Sequence, residues 1–180
     1  QDINQNLEKK VEERTEEIEN QKEILKHKNK EIIDSITYAK RIQAAILPPK
    51  SMLDSHLGDY FVLYKPKDII AGDFYWMEPV GEKTLFAAAD CTGHGVPGAM
   101  VSVVCNNALN RSVREHGFIE PGDILTQARE IVVEEFTKSG ADEEMKDGMD
   151  IALCSIEKTK GGKTTLPVSY THLTLPTTRL

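Results

Sequence analysis

The chain has 180 residues, a length that suits one domain with an adequate core, and its 39% apolar content agrees with a soluble globular protein. A formal net charge of −7 and a pI near 5.3 argue against nucleic acid and anionic membrane as partners. No apolar run reaches membrane-spanning length and no signal peptide is present; three widely spaced cysteines without a C-x-x-C argue against a disulfide framework or structural zinc, so a cytoplasmic location is expected.

The sequence opens on Gln1, which predicts a fragment whose natural beginning lies upstream. Residues 1–47 are polar, highly charged and free of proline and glycine until Pro48. Val11, Ile18, Leu25, Ile32, Ala39 and Ile46 recur every seven residues, while a second seam holds Leu7, Thr15, Lys22, Asn29 and Ile36. One apolar and one mixed seam predict a parallel two-stranded coiled coil, hence a homodimer, with Asn29 placed to fix register at a cost in stability. A single solvated helix is the alternative. Ser35 to Ile46 is apolar on several sides and is expected to pack on the core formed by the rest of the chain.

Pro48-Pro49 end that helix. Ser51 to Gly58 reads as a loop or short helix, and Tyr60 to Tyr64 as a first strand. Ile69–Val80 and Lys83–Asp90 are expected to pair as a hairpin about Gly81-Glu82, which delivers Asp73 and Asp90 to one end. A helix from Gly95 to His116 comes next, then a second one capped by Asp123 and ended by Ser139-Gly140. Ala141–Gly148 is an acidic loop, Met149–Ile156 a strand, and Lys158–Gly162 a turn towards another strand.

The stretch from Thr84 to Met100 is the centre of the chain, because a buried strand ends there in Asp90 and a glycine-rich turn opens a helix. Two readings conflict. Gly93-His-Gly-Val-Pro-Gly98-Ala99 formally fits the dinucleotide pattern G-x-G-x-x-G/A. That fold also needs a second parallel strand ending in an acid about twenty residues on, where this sequence has a helix end and a Pro-Gly turn, and Asp90 would repel a pyrophosphate. The other reading makes Asp73 and Asp90 ligands of a divalent cation. Two carboxylates about 5 Å apart repel by about 3 kcal/mol at an effective dielectric of 20, a cost that Mg²⁺ or Mn²⁺ removes. Asp73 as a turn residue and Asp90 as a helix N-cap is the non-functional alternative.

Three segments carry a resemblance: Tyr64-Lys-Pro-Lys-Asp-Ile-Ile-Ala-Gly-Asp-Phe-Tyr-Trp76, Ala88-Ala-Asp-Cys-Thr-Gly-His-Gly-Val-Pro-Gly-Ala99 and Lys146-Asp-Gly-Met-Asp-Ile-Ala-Leu153. Together, in this order, they resemble the metal-dependent (PPM, type 2C-like) serine/threonine protein phosphatases of the bacterial SpoIIE/RsbU branch, over roughly Ser35 to Glu157. The resemblance implies an α+β sandwich of two antiparallel sheets flanked by helices around two Mn²⁺ or Mg²⁺ ions. It implies Asp73 and Asp90 as catalytic metal ligands, the backbone carbonyl of Cys91 as another, and Gly93, His94 and Gly95 as the turn beside them. The family often carries an acidic pair near Asp147; here it is interrupted as Asp147-Gly-Met-Asp150, and Asp147, the better match, either supports an accessory metal or is a plain loop carboxylate. His94 is either a proton donor or ligand-orienting group, or a solvated or capping histidine. Lys65 and Lys67, close in sequence to Asp73, either attract a phosphate dianion or are ordinary solvated lysines.

The implied activity is hydrolysis of phosphoserine or phosphothreonine on a regulatory protein, such as an anti-sigma antagonist, with signals arriving through the N-terminal helix from an upstream sensor. A non-catalytic dimeric signalling module with a phosphatase-like fold is the competing class. Beyond Glu157 the family pattern should continue to two further aspartates, and neither is present. Instead Val168 to Leu180 looks like a translated sequencing-adaptor read-through, with a genuine alternative C-terminus as the other reading. The expected organisation is therefore a linker helix at 1–47, the N-terminal part of a phosphatase domain at 48–167 and a non-native tail at 168–180, with an incomplete ligand set and weakened metal affinity.

Overall fold

A computed structural model of the chain describes residues 2–138, 147–158 and 164–174. It divides into two compact units, Gln1–Ala39 and Lys40–Leu180. Helix α1 spans Asp2–Ile46 and so supplies all the described residues of the first unit and the opening of the second. Along the first unit the helix is supported by local pairs such as Lys9–Glu13 and Lys28–Glu31, each worth a few tenths of a kcal/mol. Its apolar seam is bare: Val11, Ile18, Leu25 and Ile32 are all exposed, as is Leu7 of the mixed seam.

In the second unit α1 ends two residues before Pro48-Pro49, and α2, Lys50–His56, begins directly after Pro49. The expected strand at 60–64 does not form. Phe61 is 88% exposed and the segment is irregular, since a strand needs a neighbour for its backbone N–H and C=O groups and none of the described strands pairs with it. The hairpin does form, from β1 (Phe74–Val80) and β2 (Lys83–Cys91), turning through Gly81 at φ +59°. It begins at Phe74 rather than Ile69, because residues 69–73 bend to bring Gly72 against the turn after β2.

Helices α3 (Gly95–Arg114) and α4 (Pro121–Lys138) come next, the latter starting on Pro121, whose missing N–H costs nothing in a first turn. Strand β3 (Gly148–Lys158) runs antiparallel beside β2, and β4 (Thr164–Thr165) and β5 (Val168–Thr174) pair with its other edge. The residues expected to end α4, the acidic loop as far as residue 146, and turn positions 159–162 lie outside the described residues. The expected tail contributes β5 through residue 174; strand pairing uses backbone groups common to every residue, so it forms irrespective of where that segment comes from.

Every pairing in this one sheet is antiparallel, and α3 and α4 cover one of its faces. Leu85, Ala87, Ala89 and Cys91 of β2 alternate inward with Met149, Ile151 and Leu153 of β3, against Cys105, Ala108 and Leu109 of α3 and Ile124, Ala128 and Ile131 of α4. Each fully buried aliphatic side chain contributes about 1.5–3 kcal/mol. The alternation turns Ala88 and Asp90 of β2, with Asp150 and Ala152 of β3, to the opposite face. A second sheet, as in the expected sandwich, is not among the described residues. Among them no helix is long and apolar enough to cross a membrane.

Candidate functional site

The hairpin register fixes the centre of the site. Phe74 pairs with Ala89, so the next step brings Asp73 opposite Asp90. Partial burial, then a hydrogen bond to Asp90 and its negative charge, hold the Asp73 carboxyl above the ordinary carboxylate range. No cationic side chain among the described residues enters that balance. On the other side of Asp90 the β2–β3 register sets Asp150. An open cavity of about 420 Å³ lies here, lined by Asp90, Cys91, Thr92, Gly93, His94, Met149 and Asp150.

Three glycines make this convergence possible. A Cβ on Gly72 would stand 2.7 Å from the Cys91 carbonyl oxygen and 2.9 Å from that of Gly93, and one on Gly98 would stand 2.5 Å from the Gly93 oxygen and 3.2 Å from the Gly72 Cα. Gly93, at φ +88°, completes the knot. Any side chain at 72 or 98 would push the segment carrying Asp73 away from the turn that leaves Asp90.

The helix from the linker reaches this knot through one side chain. Gln43, buried near the C-terminal end of α1, donates from Nε2 to the Ala71 carbonyl at 2.5 Å and to Ser102 Oγ at 3.0 Å, and its Oε1 accepts from the Ala71 N–H at 3.2 Å. Both backbone groups of Ala71, two residues before Asp73, are thereby satisfied by α1. A second polar chain runs from Trp76 Nε1 to Asn110 (2.8 Å), from Asn110 to Asn106 (3.0 Å) and from Asn106 to the Ile46 carbonyl (3.3 Å).

Of the expected site residues, Asp73 and Asp90 are brought together. The Cys91 carbonyl lies against Gly72, while its thiol is buried and pushed up, by a hydrogen bond with Cys105 first and by burial second, so it is inert. Gly93 and Gly95 both take positive φ, as the turn requires. His94 is the N-cap residue of α3 but makes no capping bond with its ring; Nδ1 instead pairs with Asp68 Oδ2 at 3.1 Å. Asp147 precedes β3 and does not line the cavity, whereas Asp150 does. Lys65 and Lys67 are exposed, line no part of the cavity and form no ion pair with a described residue. Sequence reading passed over Gln43 and Asp68, and of the pair Asp147 and Asp150 it preferred the one that does not line the cavity; the signal for Asp150 was its strand parity with Ala152.

The Asp73–Asp90 pair fits a divalent cation on donor chemistry: two hard carboxylate groups within hydrogen-bond reach, with no basic partner, relieve their repulsion by binding Mn²⁺ or Mg²⁺. Among the described residues no three His, Cys, Asp or Glu side chains converge into one ligand set, so this edge supplies part of a coordination sphere.

Among solved structures, the SiaA-PP2C domain of Pseudomonas aeruginosa matches 82% of this chain and 69% of its own, with a TM-score of 0.61 at 26% identity. The chain has a PP2C-like fold. The RsbU and RsbW domains of a Mycobacterium tuberculosis protein match at 15% identity and a TM-score of 0.35, over 58% of this chain and 36% of theirs, which is too remote to bear on the argument. No protein-family profile and no curated protein sequence matches. Within the PP2C-like fold the glycine turn closes a hairpin edge onto α3, and β3 returns antiparallel to β2, so the parallel βαβ unit of a dinucleotide site is absent from the described residues.

Proposed function

We propose that this chain is the metal-binding part of a phosphatase that hydrolyses phosphoserine or phosphothreonine on a bacterial regulatory protein. The observation that carries the proposal is the Asp73–Asp90 pair, set opposite one another by the β1–β2 register, with no cationic side chain among the described residues to offset it. Asp73 and Asp90 bind Mn²⁺ or Mg²⁺, with the Cys91 carbonyl on the same edge and Asp147 as the candidate for an accessory ion. Such ions lower the pKa of bound water and offset charge on phosphoryl oxygens. His94 stands at the mouth of the cavity as a proton donor or phosphate-orienting group, and Lys65 and Lys67 draw a phosphate dianion towards it.

The neighbouring solved structure is a bacterial PP2C domain, which supports a regulatory phosphoprotein, of the anti-sigma antagonist kind, as substrate. The bare heptad seam of the first unit supports a homodimer through a coiled coil, linking an upstream sensor to the site through Gln43. A second reading, a dimeric signalling module without turnover, is favoured by the two-carboxylate ligand set. Release of inorganic phosphate from a phosphoserine peptide in Mn²⁺ separates the two. Activity that Asp90→Asn abolishes supports the enzyme; activity that survives Asp90→Asn unchanged overturns the assignment, and Mn²⁺ binding with no turnover selects the module.

A further inference from the structure

The pair formed by Asp68 and His94 has no part in the metal edge, yet it joins the two segments that build it. Asp68 lies in the irregular stretch leading to Asp73, and His94 in the turn leaving Asp90, with His94 Nδ1 and Asp68 Oδ2 3.1 Å apart. The backbone of the turn passes near the same carboxylate: a Cβ added to Gly95, which sits at φ +61°, would stand 3.7 Å from Asp68 Oδ2. The His94 ring does not cap α3, lines the cavity beside Asp90 and Asp150, and has no second partner among the described residues. An imidazole with a carboxylate at one nitrogen keeps its proton on that nitrogen, which decides what the other can do.

We propose that Asp68 is a positioning residue that holds His94 with Nδ1–H on the carboxylate and leaves Nε2 for whatever occupies the cavity. The purpose of that arrangement rests on the phosphatase reading above, in which Nε2 is the atom that meets the oxygen of a phosphate monoester. The tautomer itself does not depend on turnover.

Ring nitrogen resonances test it directly. In ¹⁵N-labelled protein, with His94 assigned by the loss of its signals in His94→Gln, spectra are recorded at about pH 9, where an imidazole of ordinary pKa is neutral. The expected wild-type pattern is a protonated Nδ1 and a bare Nε2, and Asp68→Ala moves the proton to Nε2. A wild-type ring already carrying its proton on Nε2, or one whose pattern Asp68→Ala leaves unchanged, overturns the proposal. Inorganic phosphate added to the Mg²⁺-loaded protein is expected to shift Nε2 in the wild type. A ring held as Nδ1–H that ignores phosphate supports the role of Asp68 and counts against the phosphatase reading instead.

Discussion

Replacing Gln43 by alanine removes the side chain that joins α1 to the segment before Asp73. The substitution leaves the Ala71 N–H and C=O without partners, both within a residue that is 7% exposed. Ser102 keeps a bond, since its hydroxyl donates to the Ala99 carbonyl at 2.8 Å. Each buried backbone group left unsatisfied costs about 1–3 kcal/mol, and water entering the vacated space recovers part of it, so a loss of about 2–4 kcal/mol is expected. Urea unfolding monitored by far-UV circular dichroism measures it as a lower midpoint at unchanged m-value. Gln21→Ala is the control on the same helix, because the Gln21 side chain is exposed and bonds, among the described residues, Glu17 alone, at 3.5 Å; it is expected to stay within about 0.5 kcal/mol of wild type. Equal midpoints for Gln43→Ala and Gln21→Ala would refute the view that this glutamine clamps α1 to the site.

Gly98→Ala places a methyl group 2.5 Å from the Gly93 oxygen, so it is expected to lose about 1–3 kcal/mol in thermal unfolding, while Gly58→Ala, with nothing within 4 Å, is expected to be tolerated. The raised Asp73 pKa means that the folded state holds this proton more tightly than the unfolded chain does, a contribution present at low pH and lost as pH rises through the folded-state value. Asp73→Asn is therefore expected to melt no lower than wild type without metal at neutral pH, and to lose the stabilisation of about 2.7 kcal/mol that a ligand at a hundredfold excess over its Kd confers. A variant that melts well below wild type without metal contradicts that repulsion. In the first unit, Leu25→Lys is expected to turn a dimer into a monomer in sedimentation equilibrium, and an unchanged mass removes the coiled-coil proposal.

The hairpin was legible because local signals agreed: a short apolar run on each side of Gly81-Glu82 fixes both the turn and the register, and the register alone carries Asp73 to Asp90. The helices were legible from an apolar stripe of helical period, but the expected cap was misplaced: α4 starts on Pro121, which needs no N–H partner there, so Asp123 lies inside its first turn instead of capping it. Tyr60 to Tyr64 misled because strand propensity is a property of the segment while a strand needs a partner, which is information held elsewhere in the chain. Gln43 and Asp68 were invisible on different grounds. A glutamine in a charged helix and an aspartate after lysine look solvated, and nothing local announces that their partners stand 28 and 26 residues away. The interrupted Asp147-Gly-Met-Asp150 drew attention to its first carboxylate, although the pleat of β3 brings the second to the cavity.

Whether the Asp73–Asp90 edge holds a divalent ion is the central question, and Mn²⁺ titration read by the loss of the free-ion electron paramagnetic resonance signal answers it without requiring turnover. Saturable uptake by the wild-type chain, weakened tenfold or more by Asp90→Asn and by Asp73→Asn but not by Asp59→Asn, at an exposed position that does not line the cavity, is the result expected. Uptake that is absent in the wild type, or equal in the wild type and both edge variants, contradicts it.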